Sequence, residues 1–285
     1  MIRSLVQTLY APVMLIAWNA LAIFLIERHF AIATIALLLP LVIAASYAAE
    51  RIAPYERRWN VSHGDRWRDA AHALVNESLG VAELAAIPFV DAVVPGPGMW
   101  PHDWPLVAQW LLAVLAADAG ITLAHWASHR WRWLWRFHAV HHSVERLYGL
   151  NGLMKHPLHQ GLETLAGVAP LVLAGMPRDI GALLAFSIAV QLLLQHSNVD
   201  MRIGPLRHVL ALAPVHRFHH RNQPVLGDVN FGLFTTLWDR LLGTTTDDPA
   251  ARFAPGDFGI SDRPAYPRRY FAQLLEPFRS RSRSA

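Results

Sequence analysis

Two apolar runs, residues 5–26 and 31–49, open the chain, and each is close to the roughly 20 residues a helix needs to cross a bilayer. Lipid offers no water to unpaired backbone groups, so runs of this length are compatible with helices and with little else. Similar runs follow at 106–124, 161–176 and 180–194. With 53% hydrophobic and 16% charged residues and a mean hydropathy of +0.24, the chain reads as an all-α integral membrane protein of transmembrane hairpins. No small-residue cleavage site follows the first run, which therefore reads as a retained span. Residues 70–94 are also apolar but include His72, Asn76, Glu77, Glu83 and Asp91. Burying those groups in lipid costs several kcal/mol, so a tilted, partly protein-covered or re-entrant helix is expected there. Residues 95–98 and 100–105, rich in Pro, Gly and Trp, read as a turn with an aromatic belt.

The basic residues sort the two sides of the membrane. If the apolar hairpins put residues 51–70, 125–156 and 196–285 on one side, those segments hold 5, 5 and 12 of the 25 Lys and Arg. Arg3 joins them, and only Arg28 and Arg178 fall in the opposite turns. This bias places those segments in the cytoplasm. Because the arginines flank apolar runs, the positive charge suits a membrane surface, and no nucleic-acid partner is expected. The chain has no cysteine, which excludes disulfides, zinc–thiolate fingers, iron–sulfur clusters and thiolate-bound haem.

Beyond the ends of the spans lie the histidines. His125 and His129 are spaced i, i+4; His138, His141 and His142 follow at offsets of 3 and 1; His216, His219 and His220 repeat that trio. On a helix such spacings share one face, so each group can chelate. A lone histidine is most often structural, but a pair and two matched trios among 16 histidines point to metal. With His196 at the end of an apolar run, the set exceeds the four ligands of tetrahedral zinc and suits two ions of higher coordination. Such surplus favours redox metals, iron first, with zinc able to substitute in purified protein and manganese or copper not excluded. The Trp126, Trp131, Trp133 and Trp135 run reads as a headgroup-level belt. Arg130, Arg132 and Arg136 read as a solvated basic face.

These residues resemble the membrane-bound fatty acid hydroxylase/sterol desaturase superfamily. The match is carried by Asp118, by His125 to Arg130, by Leu134 to Ser143, by His156-Pro157-Leu158, by Gln195 to Asn198 and by His216 to His220. Asp228 to Gly232 and Trp238 to Thr244 extend it, so that it covers residues 105–245. The resemblance implies a di-iron, O2-dependent oxidoreductase that hydroxylates or desaturates a lipid. It implies as metal ligands His125, His129, His138, His141, His142, His196, His216, His219 and His220. His156 matches a further histidine of the family, as a ligand or a supporting group. His159 departs from the glutamate common in relatives and reads as a neighbour. Asp118, Asp228, Asn230 and Asp239 are the candidates to hold ligand histidines from behind.

The expected organisation is therefore membrane helices and an interfacial linker over 1–104, a catalytic unit over 105–245 carrying the dimetal site in a cytoplasmic helical cap, and a cytoplasmic tail over 246–285. The 279–285 Arg/Ser end is expected to be disordered. No nucleotide-binding Gly-rich fingerprint or haem domain is present, so electrons would come from a separate protein of cytochrome b5, ferredoxin or flavoprotein type. A non-catalytic membrane metal-binding or transport protein is the competing reading, but transport would want ligands at the bilayer midplane. A zinc hydrolase would want a His-Glu-x-x-His motif, and none exists.

Overall fold

Proline and glycine decide where the apolar runs bend or break. The computed structural model describes residues 1–94 and 98–279, and among these the chain is helical, with isolated bridges and no strand. Helix α1, Ile2–Glu27, contains Pro12, and a π-helical turn at Val13–Ala17 follows it directly. Helix α2, Ala33–Ile52, packs against α1. Helix α3, Arg66–Val93, runs unbroken for 28 residues, so the polar-studded stretch at 70–94 is a continuous helix long enough to span. Helices α4, Leu106–Arg130, and α8, Arg178–His196, bring the helices apolar and long enough to cross a membrane to five among the described residues.

The run at 161–176 differs from expectation. It is split between α6, Pro157–Gly167, and α7, Ala169–Leu173, with Val168 at the break. Gly167 weakens the first helix and Pro170 withholds an N–H from it, and together they favour a break at Val168. Residues 157–173 still cover about 25 Å if helical throughout, enough to return the chain towards the other side. Residues 95–97 of the expected turn lie outside the described residues. Trp100 of the expected belt is buried, donating from Nε1 to Gln109 Oε1 at 2.6 Å, while Trp104 stays exposed.

Helix α8 is the axis of the bundle. Its apolar window is 83% buried, against 17% for α3, and it touches α1, α2, α3 and α4. A helix that is apolar all round must be covered all round. Small residues allow the closest crossings. A Cβ on Gly120 of α4 would run into the Ala166 carbonyl of α6, and one on Gly152 would meet the Leu192 carbonyl of α8. Glu50, at the end of α2, accepts from Gly149 N at 2.6 Å and Asn198 N at 3.1 Å, tying two histidine-bearing segments to the membrane helices.

A smaller core sits beyond the span ends. Trp59, Val140, Val144, Leu147, Met154, Phe218, Phe253 and Phe258 pack there around helix α5, Arg132–His142. Residues from 246 onwards, expected as a tail, form part of this cap as far as they are described. Helix α9, Tyr270–Leu275, brings Gln273 to Ser143 Oγ at 2.9 Å and to His72 Nε2 at 2.9 Å. Residues 280–285, where disorder was expected, lie outside the described residues.

Candidate metal centre

Trp131 breaks the chain between α4 and α5 with an extended backbone, and the two helices fold back on each other there. This turns His125 and His129 of α4 towards His138 and His142 of α5. His219 joins them from the loop after the short helix Ala213–His216. In this first cluster one ring nitrogen from each of the five histidines lies within 4.8 Å of all the others. His141, His196, His216 and His220 form a second cluster to the same limit. The two adjoin, with the His142 and His220 rings stacked at 4.6 Å.

The trios are therefore not units. A helix advances about 100° per residue, so His138 and His142 lie about 40° apart on α5 while His141 points about 100° away from His142. The first two serve one cluster and His141 the other. The second trio is shared in the same manner, His219 going to the first cluster and His216 and His220 to the second.

Hydrogen bonds at the far side of the rings determine what the near side offers. His125 Nδ1 donates to the Phe231 carbonyl at 2.8 Å, His219 Nδ1 to the Val229 carbonyl at 2.8 Å, and His141 Nδ1 to the Met154 carbonyl at 2.9 Å. His129 Nδ1 faces Asp228 Oδ1 at 2.9 Å and His196 Nδ1 faces Asn151 Oδ1 at 2.9 Å. The acceptor on Nδ1 places the proton there and leaves Nε2 with a bare lone pair. Yet His125 Nε2 and His219 Nε2 stand 2.9 Å apart. Two lone pairs at that distance repel unless a cation lies between them.

The spacing also has a coordination meaning. Nε2 pairs lie at 3.1 Å for His129 and His142, 3.0 Å for His142 and His138, and 3.1 Å for His216 and His220. With metal–nitrogen bonds of about 2.1 Å, ligands at right angles sit about 3.0 Å apart and tetrahedral ones about 3.4 Å. Spacings of this order suit nitrogens that share one metal ion. Among the described residues His196 Nε2 is buried with no hydrogen-bond partner, as are Nδ1 of His138, His216 and His220. Burial first, and neighbouring positive groups after it, hold His138, His141, His142, His216 and His220 well below the usual imidazole range. Neutral rings are what a metal requires. The residues present fit two transition-metal ions.

Several expected roles change. His156 joins neither cluster: its Nδ1 accepts from Leu158 N at 3.1 Å, capping α6, and its Nε2 faces the Leu274 carbonyl at 3.2 Å. The His159 ring lies 4.4 Å from that of His138, tilted by 34°, but turns its Nε2 to Ser128 Oγ at 3.0 Å, so it packs beside the site. Of the four candidate supports, only Asp228 touches a histidine. Asp118 accepts from Phe234 N at 2.7 Å and from Thr235 Oγ1 at 2.6 Å. Asp239 accepts from Phe231 N at 2.7 Å and Gly232 N at 2.8 Å. Both pin the loop whose Phe231 carbonyl holds His125, one step further from the ring than expected. Asn230, with φ at 54°, bridges Val215 and Thr246 instead. Asn151, which sequence reasoning missed, is the direct partner of His196; nothing in its local spacing signals that role.

Fold and site together define an integral membrane protein organised around two buried polyhistidine clusters. Comparison with known proteins makes this specific. The fatty acid hydroxylase family model matches residues 110–244. An ornithine lipid hydroxylase of Rhizobium tropici is 36% identical over 244 residues, covering 82% of this chain and 72% of the relative. Alkylglycerol monooxygenases of Danio rerio and Homo sapiens are 30% and 28% identical over 145 residues, and the match spans 51% of this chain but only 31% of theirs. No solved structure matches. The chain belongs to the fatty acid hydroxylase family, whose members are membrane oxidoreductases, and the reading as a non-catalytic metal carrier falls away.

Proposed function

We propose that this chain is a di-iron, O2-dependent enzyme that hydroxylates a membrane lipid, with 105–245 as its catalytic unit and 1–104 as membrane support. The observation that carries this reading is the pair of adjoining clusters, five and four histidines, whose Nδ1 partners leave Nε2 lone pairs facing each other. His125, His129, His138, His142 and His219 would hold one ion, and His141, His196, His216 and His220 the other. When bound, iron supplies the oxidising power to break an unactivated C–H bond with O2 and external electrons. The protein's own part is to fix ring tautomers through Asp228, Asn151 and three carbonyls, and to keep both clusters buried.

A water-side hollow of about 290 Å³, bordered by His129, His142, Arg130, Arg132, Arg221 and Asp228, reaches the first cluster from outside the spans. Its arginine rim suits a separate, acid-faced electron-donor protein. The excess of arginine on this side supports a cytoplasmic orientation. A reporter fused after Ala285 and a tag near Arg66 are both expected to label as cytoplasmic; extracytoplasmic labelling of either overturns the orientation.

Protein expressed with added iron is expected to carry close to two transition-metal ions per chain by elemental analysis, zinc counting equally because imidazole binds both. One ion or none overturns the dimetal assignment. Supplied with a reductant, O2 and ornithine lipid or total membrane lipid, the iron-loaded protein is expected to yield a product one oxygen heavier. Loss of two hydrogens instead would identify a desaturase.

A further inference from the structure

A hollow of about 320 Å³ opens among the loop that follows α8, the chain around Pro214 and Arg217, and residues 248–253. Four arginines line it, Arg202, Arg207, Arg217 and Arg252, against two acids, Asp200 and Asp248. Arg202 N donates to the Gln7 carbonyl at 2.8 Å and Asp200 N to the Ala53 carbonyl at 2.9 Å. One wall is thus fastened to the first turns of α1 and to the residue that ends α2. The hollow lies at the level where those two spans begin and end, on the face that carries the histidines.

Arg217 is the buried member of this group, 3% exposed. Its Nη2 donates to the Ser197 and Val199 carbonyls at 2.9 and 3.1 Å, and the guanidinium lies 3.9 Å over the Tyr55 ring. Its Nε is buried with no hydrogen-bond partner among the described residues. Asp200 and Glu50 act on this cation only from beyond ion-pair distance, and both are held elsewhere. Asp200 Oδ2 takes Gln7 Nε2 at 2.6 Å, and Glu50 takes the backbone of Gly149 and Asn198. A buried cation met only by carbonyls and a ring is left short of counter-charge.

The other arginines leave the same demand. Arg202 donates only to Ser4 Oγ, at 3.4 Å, and Arg252 only to the Pro249 and Ala251 carbonyls of its own loop, at 3.2 and 2.9 Å. Both are exposed. Arg207 alone of the four has an ion pair among the described residues, with Asp247 at 3.4 Å. Asp248 spends Oδ1 on Ala250 N at 2.9 Å. Three guanidinium groups therefore border one hollow without a carboxylate at contact distance.

We propose that this hollow binds a phosphate group, held by Arg217 on its buried side and by Arg202 and Arg252 at its rim. Guanidinium carries donors and no acceptor, and a phosphate ester offers three strong acceptor oxygens with the missing negative charge. Arginine forks match phosphate oxygens in pairs. The volume is about ten times the roughly 30 Å³ that one water takes in the liquid, which leaves room for a substituent on the phosphate. Free phosphate and the phosphate of a lipid headgroup present the same chemistry at this level. Arg217 directly follows His216 and ties down Ser197, which follows His196. A phosphate seated on it clamps together two segments that carry histidines of the second cluster, whatever that cluster oxidises.

The test is calorimetric titration of the full-length protein in detergent, at constant ionic strength in chloride, with two probes: inorganic phosphate and dihexanoyl phosphatidic acid. At least one is expected to bind at one site per chain with a Kd of about 1 mM or tighter. Arg202→Gln combined with Arg252→Gln is expected to weaken that binding about tenfold or more, since hydrogen bonds to charged groups are lost. Both side chains are exposed, so the thermal unfolding midpoint of the double variant without phosphate should stay at the wild-type value. Phosphatidic acid that binds tighter and displaces phosphate supports the site and assigns it to a lipid headgroup. Phosphate binding that the lipid does not displace supports the site and assigns it to the free anion. Wild-type protein that binds neither probe overturns the proposal, as does a folded double variant with unchanged affinity. The wild-type titration decides by itself if the double variant fails to fold.

Discussion

His141→Ala is expected to reach the membrane in normal amount and to make no oxygenated lipid. The side chain is 3% exposed, and its ring bridges the Met154 carbonyl and the second cluster. Truncation leaves three imidazoles, His196, His216 and His220, around that position. Insertion of the spans draws on apolar burial in lipid, which this change beyond the span ends does not touch. Loss of even an outer partner of a metal ligand costs about 10–100-fold, so loss of a ligand should cost at least about a hundredfold in product formation. Metal content should fall from two ions per chain towards one. His156→Ala is the matched control, because both nitrogens of that ring are engaged at the α6 cap and at Leu274. It should keep both ions. Wild-type turnover by His141→Ala would take the dimetal reading of the second cluster down with it.

Asp65→Ala is expected to be the most damaging single change outside the clusters. Arg146 is 2% exposed, and its Nε and Nη2 donate to the two Asp65 oxygens at 2.6 and 2.9 Å. Its Nη1 donates to the Trp59 carbonyl, and the guanidinium lies 4.1 Å over the Tyr148 ring. Removing the carboxylate strands a buried cation, at a cost of about 3–5 kcal/mol. The damage should spread to the site, because the Arg146 carbonyl takes Asn151 Nδ2 at 2.7 Å and Asn151 orients His196. A pH signature follows. Burial alone would raise the Asp65 pKa, but Arg146 outweighs it and holds the carboxyl down at about 2. A carboxylate depressed on folding stabilises fully above its unfolded value of about 3.9 and loses that contribution as pH falls towards the folded value. Thermal unfolding in detergent should therefore show a wide gap between wild type and variant near neutrality that narrows between about pH 4 and pH 2. A gap that is small, or that ignores pH, would mean that Asp65 does not carry Arg146.

What the sequence disclosed and what it hid divide along a chemical line. The clustered histidines were legible because metal binding demands a residue type and helical geometry demands a spacing, and both are written in the side chains. Membrane helices were legible for a similar reason, since lipid constrains length and polarity together. Residue 3 of each trio offset, as at His141, sent its ring to the other cluster because the angle that a shared face tolerates is still wide enough to choose between two ions. The split of α6 from α7 was present in Gly167 and Pro170 but outweighed by the apolar length around them. Asp118 and Asp239 stood out as buried acids near the histidines, yet they act on a loop rather than a ring. Most of the actual ring partners are main-chain carbonyls, which no side chain announces.

That last arrangement bears on how the protein can change over time. Because Phe231, Val229 and Met154 hold their histidines through backbone carbonyls, a substitution there leaves the acceptor itself in place, although Phe231 and Met154 are fully buried and Phe231 packs against three of the rings. Only Asp228 and Asn151 orient a histidine through an atom that a point substitution can remove, one for each cluster. These two positions thus give selection a direct handle on each half of the site, while the carbonyl-held rings change only if the backbone around them moves.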